Sequence, residues 1–520
     1  MDRTMIEEKT KIGKDVIESL TLAMYDDPKF IYREYIQNSA DQIDIALEKG
    51  LIKDKNDCKI EITIDKDERK ITIMDNGTGV PSDKILFVLK NIAQGVKDRK
   101  KHKGFRGIGR LGGLAYCDKL IFETSYYGEE IKSTLIWDAN KLKKIINNRD
   151  KIEDAAYVID EVTSLETEPA IKDERYFKVV LENVSNENLL DKDEVYEYLS
   201  MVAPVPYKKG FIFTSKIYDK AKEYNFTIDE YNIYINTEQI FKAYTVAIYE
   251  GEKHNKKRID DIFDIEFFDI KDKDEQVLCW GWYSISSFLK QIPSVNIARG
   301  IRLRKGNIQI GDDRQLGRLF KESRGTFYFF GEVHAMSPNL IPNARRDYFT
   351  ENNVLTLFEK NLKNKFKHLH EIYHVSSQIR NEKKRIEEIA NLVKEYADKS
   401  KKGFTKPEEQ EEYEDKIQKV KVKAEFAAKK IEKIKTKAKS DNVKTKLINK
   451  LTEGIDDNLS IEEEILPKNN EKPKLLTDNL PQYNRSERKL ISKILSIIDN
   501  VLPKDLSETV KQKIIEELKK

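Results

Sequence analysis

Three short segments of this 520-residue chain place chemically capable side chains at informative spacings. The first is REYIQNSADQIDIA (33–46). On a helix, Glu34, Asn38 and Asp41 fall at i, i+4 and i+7, so a carboxylate, an amide and a second carboxylate share one stripe. Ile36, Ile43 and Ala46 lie on other faces, free to pack on a sheet. Taken alone, such a stripe reads more readily as a solvated surface. The second segment is IMDNGTGVP (73–81), where Asp75 directly follows an apolar alternation. Gly77 and Gly79 would let backbone approach a flat ligand, and a carboxylate at a strand end can accept from an exocyclic amine. Asp-Asn-Gly is also an ordinary turn signature. The third is GFRGIGRLGG (104–113), in which Gly104, Gly107 and Gly109 form a GxxGxG run. Its backbone N–H groups could cradle phosphates at a helix start. It lacks the Lys-Ser/Thr of a Walker loop and is not GxGxxG.

Strands and helices must alternate to hold these segments. KIEITID (59–65) and KITIMD (70–75) predict a hairpin around the polar KDER turn. Further strand-like runs are KLIFET (119–124), FKVVLENV (177–184), GFIFTS (210–215), YNIYIN (231–236), QVLCWGWYSI (276–285) and GTFYFFGEV (325–333). Helical patterns at 12–24, 28–49 and 189–202 are interspersed with them, which predicts α+β or α/β structure in two successive layers. After about residue 350 the pattern becomes long helix. Tyr413, Ile417, Val420, Ala424, Ala427, Ile431, Ile434 and Ala438 step by alternating fours and threes, a heptad seam. The Gly403–Pro407 break would fold that helix back on the one before it. Residues 463–484 carry three Pro and several Asn and predict a linker.

The order ExxxNxxD, then DxGxG, then GxxGxG resembles the GHKL ATPases (gyrase, heat-shock chaperone, histidine kinase and MutL), which have the Bergerat fold. The resemblance covers roughly residues 10–200. It implies that Glu34 is the general base for the attacking water, that Asn38 holds Mg²⁺ on the ATP phosphates, and that Asp41 supports the nucleotide site. It implies that Asp75 accepts from the adenine amino group, with Gly77 and Gly79 admitting the base. Gly104, Gly107 and Gly109, with Phe105, Arg106 and Ile108 between them, would wrap the phosphates inside an ATP lid spanning 91–112. The family often opens a later strand with Gly-Thr, whose Thr helps hold adenine. Here the corresponding strand begins YFKVV (176–180), without that Thr.

RGIRLRKGNIQIGD (299–312) and LIPNARRDYF (340–349) resemble the middle segment of HtpG-type chaperones, where an Asn-x-x-Arg-acid motif sends an Arg to the ATP γ-phosphate. That match points to Arg346, then Arg345, with Arg304 or Lys305 as the fallback; the bland alternative is that these arginines pair with surface acids. The implied architecture is α+β. An N-terminal Bergerat-fold ATPase domain (1–200) precedes a transducer-like α/β middle domain (201–350) and a helical coiled-coil hairpin (351–462). The linker and short C-terminal helices (485–520) complete it. The implied function is an ATP- and Mg²⁺-dependent clamp that closes by N-terminal dimerisation on a protein client.

Composition supplies the competing reading. Residues 1–350 carry a net −4 and residues 351–520 a net +7, with thirteen Lys and three acids in 416–450. The domain order and this basic hairpin resemble the microrchidia family, which implies an alternative DNA clamp, in a genome-defence setting, binding without sequence preference. Lysines on outer helix positions also simply keep a coiled coil soluble. A third reading is a degenerate ATPase used as a scaffold, which the intact Glu34 opposes. HEIYH (370–374), with His368 nearby, matches the zinc-protease pattern HExxH. Its polar flanks favour a plain amphipathic helix. Three scattered cysteines provide no disulfide framework. The charged N-terminus and the lack of a long apolar run predict a cytoplasmic protein without a membrane partner.

Overall fold

A computed structural model describes residues 12–21, 27–92, 108–455 and 473–520. It divides into two compact units, Met1–Ser286 with Lys290–His368, and Ser287–Leu289 with Leu369–Lys520.

The first unit opens with α1 (Asp15–Thr21) and α2 (Phe30–Glu48), then the hairpin β1 (Lys59–Asp65) and β2 (Lys70–Asp75). Next come β3 (Lys119–Ser125), β4 (Ile131–Asp138), α3 (Ala139–Asn147), α4 (Ala155–Val162), β5 (Thr163–Pro169) and β6 (Tyr176–Glu182). After α5 (Glu187–Leu190), α6 (Lys192–Val202) and α7 (Thr214–Glu223), the short β7 (Asn232–Ile235) and β8 (Glu238–Gln239) return to the same sheet. The order is β5-β4-β3-β6-β2-β1-β7-β8, antiparallel except where β7 runs parallel to β1. Along β1 and β2 the isoleucines alternate inward, Ile60, Ile62 and Ile64 beside Ile71 and Ile73. They share one core with Ile36, Ala40, Ile43 and Ala46 of α2. Each fully buried isoleucine there contributes roughly 1.5–3 kcal/mol, so packing rather than helix propensity fixes α2 in place.

The second layer of this unit has a two-stranded ribbon, β9 (Ala247–Glu252) with β10 (Asn255–Asp261), and a five-stranded sheet. The sheet is built from β11 (Asp264–Lys271), β12 (Val277–Ile285), β13 (Gly300–Lys305), β14 (Ile308–Ile310) and β15 (Phe330–Ala335), in the order β11-β12-β15-β13-β14. Two expected strands differ. Residues 210–215 form a turn running into α7, because Phe211 and Phe213 bury in an aromatic cluster while Ile212 stays 71% exposed, an alternation that imitates a strand. Of 325–333, the first part is a 3-10 turn (Ser323–Tyr328), and the strand starts at Phe330.

The helix α8 (Asn353–Lys402) begins in the first unit and ends in the second. Gly403 closes it in the left-handed region (φ 110°), its N–H bonded to Lys399 O at 2.7 Å. Pro407 then starts α9 (Pro407–Ala438), followed by α10 (Asn442–Thr452), α11 (Arg485–Val501) and α12 (Lys504–Lys519). α9 returns antiparallel along the second half of α8, as Tyr396–Glu414 (2.9 Å) and Glu382–Lys430 (2.6 Å) require. Tyr413, Ile417, Ala424, Ala427, Ile431 and Ala438 of the expected seam are buried, while Val420 and Ile434 are half-buried. Among the described residues no helix is long and apolar enough to cross a membrane.

Candidate functional site

The floor of the site is α2, whose polar stripe is largely buried beside the apolar side chains that pack on the sheet. Glu34 is 8% exposed; its Oε1 makes no hydrogen bond among the described residues and lies 3.5 Å from Arg33 Nη2. Asn38, one turn on, is half-buried, and Asp41 is buried. Gly109 sits directly over Glu34, where any Cβ would overlap Oε2. The turn it begins, Gly109–Ala115, docks on the same helix. Tyr35 Oη donates to Arg110 O (3.0 Å) and accepts from Gly113 N–H (3.2 Å), and a Cβ at Gly112 would lie 2.7 Å from the Phe30 ring. Arg110 donates to Asn91 O (2.5 Å) and Leu89 O (3.4 Å), which joins the two described ends of the Gly-rich segment; burial lowers its pKa to about 10. Ile108 and Gly109 are described, whereas Gly104, Phe105, Arg106, Gly107 and most of 91–112 lie outside the described residues.

Asp75 ends β2 and is 1% exposed. Its Oδ1 accepts from Gly77 N–H at 2.9 Å, and Ser39 of α2 also bonds the carboxylate. Oδ2 has no partner among the described residues. Burial pushes this carboxyl up to about 7, against the opposing pull of the Ser39 and Gly77 bonds and the nearby Arg175 charge. Gly79 is left-handed (φ 69°), and a Cβ there would overlap Ser125 O, so the turn can close only with glycine. Val80 N–H then donates to Thr124 Oγ1 (2.9 Å), and Thr124 donates on to Tyr176 O (2.8 Å). The threonine missing from the start of β6 thus has a near neighbour on β3, where Thr124 pairs with Phe177.

The three motifs converge on one helix. Gly109 touches Glu34, Asp75 bonds Ser39, and a Cβ at Gly77 would press on Gln42. A fourth element arrives from the second sheet. The loop 342–349 is closed by the Pro342–Phe349 bridge and the Asn343 N–H to Tyr348 O bond (2.9 Å). Arg346 occupies the left-handed region (φ 54°), with its carbonyl held by Gly311 N–H (2.9 Å) and its side chain buried. Arg345 is exposed, and its carbonyl accepts from Arg33 Nη2 at 3.0 Å, so the loop reaches the residue before Glu34. A cleft of about 760 Å³ opens beside this contact, lined by Arg33, Tyr198, Arg302, Gln309 and Arg345.

Other candidates are committed elsewhere. Arg304 is fully buried and gives Nε to Glu332 (2.5 Å), Nη1 to Asn307 O (3.0 Å) and Nη2 to Met201 O (2.7 Å). Lys305 donates to Ser337 O (2.7 Å), and burial lowers its pKa to about 8. His370 and His374 bring their Nε2 atoms to 3.1 Å, but Glu371, the base that a zinc-protease helix needs, pairs with Lys444 at 2.8 Å. Two groups escaped the sequence reading. Arg175 donates to three backbone carbonyls around the Asp75 turn, and Arg110 sits inside the glycine run. Only the strand pairing, which puts 175 opposite 77, would have drawn attention to the first.

Residues 32–168 match the family described as histidine kinase-, DNA gyrase B- and HSP90-like ATPase. The chain is 26% identical over 381 residues to the chaperone protein HtpG of Fusobacterium nucleatum, an alignment covering 68% of this chain and 54% of that protein. It is 32% identical over 133 residues to HtpG of Chromobacterium violaceum (22% of this chain, 21% of that protein). With HtpG of Escherichia coli K12 it shares 25% over 143 residues (24% and 23%). The chain thus spans about half the length of the Fusobacterium relative, and less of the others. The region holding Glu34, Asn38 and Asp75 therefore matches the GHKL-type ATPase family, and the chain resembles HtpG.

Proposed function

We propose that this chain binds and hydrolyses ATP and works as an HtpG-like molecular clamp on a protein client. The observation that carries the reading is the convergence on α2: a buried strand-end carboxylate with one open oxygen at Ser39, and a second carboxylate beneath Gly109 one turn from Asn38. Asp75 Oδ2 accepts from the adenine amino group, and Gly77 and Gly79 keep the turn thin enough for the base. Glu34 polarises the attacking water. It lies buried on α2 directly beneath Gly109, where only glycine leaves room for its carboxylate. Asn38 offers a neutral oxygen, a donor type Mg²⁺ accepts beside phosphates and water; bound there, the ion would offset phosphate charge. Asp41 supports the same stripe. Ile108 and Gly109, with Gly104 to Gly107, wrap the phosphates.

Arg346 is the γ-phosphate arginine of this reading. Its loop already contacts α2 beside Glu34, and its strained left-handed backbone is the kind of cost that persists at functional positions. Arg304, the fallback with Lys305, is bonded to Glu332, which favours Arg346 over it. ATP binding favours a closed state in which two protomers associate through their N-terminal domains, and hydrolysis reopens them. The match to HtpG supports a protein client over DNA. So do Lys430 and Lys444, which turn part of the basic hairpin's charge onto Glu382 and Glu371. The decisive variant is Glu34→Ala. It should bind Mg·ATP as the parent does and lose turnover by roughly 10²–10⁴-fold, measured by calorimetry and phosphate release. Normal turnover would remove Glu34 as the base.

A further inference from the structure

The Asp75 turn is gripped from behind by a side chain outside every motif. Arg175 lies just before β6, opposite Gly77 when the Asp75–Phe177 register is continued past the strand ends. Its guanidinium donates through Nη1 to Asn76 O and Gly77 O (3.0 Å to the latter) and through Nη2 to Leu51 O (2.9 Å). Asn76 O and Gly77 N–H belong to one peptide unit, and in a planar trans peptide they point in opposite directions. One end of that unit is therefore held by Arg175 and the other by Asp75 Oδ1, at 2.9 Å from Gly77 N.

We infer that Arg175 is a positioning residue for recognition of the nucleotide base: by fixing the Asn76–Gly77 peptide it commits Asp75 Oδ1 to the protein and keeps Oδ2 open to an exocyclic amino group. The inference rests on the reading of Asp75 as the base acceptor. Gly77 serves the same end, since a Cβ there would come within 2.8 Å of Asp75 Oδ1. The bond to Leu51 O ties the turn to the segment after α2, so one side chain anchors the turn to a second element. A planar guanidinium can span these acceptors at once, whereas an ammonium on the same backbone would hold fewer. Its positive charge also favours the ionised form of Asp75, opposing the burial that raises its pKa.

The test is calorimetric binding of the full chain and its Arg175→Ala, Arg175→Met and Arg175→Lys variants to ATP and to inosine triphosphate, which carries a carbonyl in place of the adenine amino group. The parent should prefer ATP. Arg175→Ala and Arg175→Met should weaken ATP by roughly tenfold while leaving inosine triphosphate nearly unchanged, with Arg175→Lys between. ATP affinity should fall as pH drops through about 7 in the parent, and the midpoint should move upward in the Ala and Met variants, because losing the guanidinium charge disfavours the carboxylate. Equal loss of both nucleotides, or an unchanged preference and midpoint, would overturn the inference. If Arg175→Ala does not fold, Arg175→Lys is read over the same pH series. Asp75→Ala separates the two claims. If it keeps the ATP preference, the base-acceptor reading itself fails. If it loses the preference while Arg175→Ala and Arg175→Met keep it, only the role of Arg175 fails.

Discussion

Two carboxylates of the first unit are buried to the same depth, Asp75 at 1% exposure and Glu332 at 0%, yet they have opposite electrostatics. Around Glu332, burial pushes the pKa up, but Arg304, Lys242 and His334 together pull it well below the usual carboxylate range. Both oxygens are saturated: Oε1 takes Arg304 Nε (2.5 Å) and Tyr244 Oη (3.2 Å), while Oε2 takes Lys242 Nζ (3.0 Å), Tyr207 Oη (2.5 Å) and His334 (3.1 Å). Among the described residues Asp75 has no cation bonded to it, and one oxygen is left open. A buried ion costs several kcal/mol unless its bonding capacity is filled. Glu332 meets that condition within the fold. Asp75 does not, and an unfilled acceptor at a strand end is what a donor ligand completes. The difference separates a carboxylate whose bonds are filled within the second sheet from one with an acceptor left over, which is what the proposed nucleotide site requires.

The sharpest way to break the comparison is to empty the satisfied site. Glu332→Ala would leave Arg304 and Lys242 buried without their anion, which should cost about 3–5 kcal/mol of unfolding free energy in a urea titration. Asp75→Ala, which removes a charge that burial already disfavours, should cost far less stability and act on nucleotide affinity instead. Equal destabilisation by the two would dissolve the distinction.

The next effect tests the loop that joins the two regions. Arg346→Ala should lower the hydrolysis rate roughly a hundredfold while leaving ATP affinity close to the parent, because a group aimed at developing phosphate charge acts on the transition state more than on binding. Phosphate release under single-turnover conditions, set beside calorimetry, reads both quantities. An unchanged rate would return Arg346 to a structural role like that of Arg304.

This contrast also marks how far the sequence could be read. The α2 stripe, the β1–β2 hairpin and the 413–438 seam were legible because their signals are local: one helix face, one alternation, one heptad step. The RGIRLRKGN segment was not, since nothing local tells a buried arginine from one turned toward a ligand. Arg304 became structural only when β13 lay parallel to β15 and brought Glu332 beside it. Arg175 escaped for the same reason, because its carbonyl partners lie about 100 residues or more away in sequence. The 210–215 run misled because Phe211 and Phe213 follow a strand's period in a turn whose aromatic neighbours come from distant elements.

The smallest expected effect concerns the basic hairpin, where satisfied and open charge meet on one surface. Lys444 is 17% exposed at its side chain and pairs with Glu371 at 2.8 Å and Asp441 at 3.3 Å; Lys430 bridges from α9 to Glu382 on α8 at 2.6 Å. Lys423, Lys429, Lys433 and Lys437 of α9 are exposed, and 416–450 has too few acids, three against thirteen Lys, to neutralise all of them. A double-mutant cycle on Lys444 and Glu371 should give a coupling of about 0.5–1 kcal/mol, whereas replacing the four exposed lysines with Gln should change stability by less than that. The same four-fold variant decides the client. For a protein-client clamp, DNA retention by Glu34→Ala protein should be weak, independent of ATP and unaffected by the substitutions. Retention that requires ATP, falls steeply with salt and disappears with these four lysines would make the open half of the hairpin a phosphate-binding surface and reverse the choice of client.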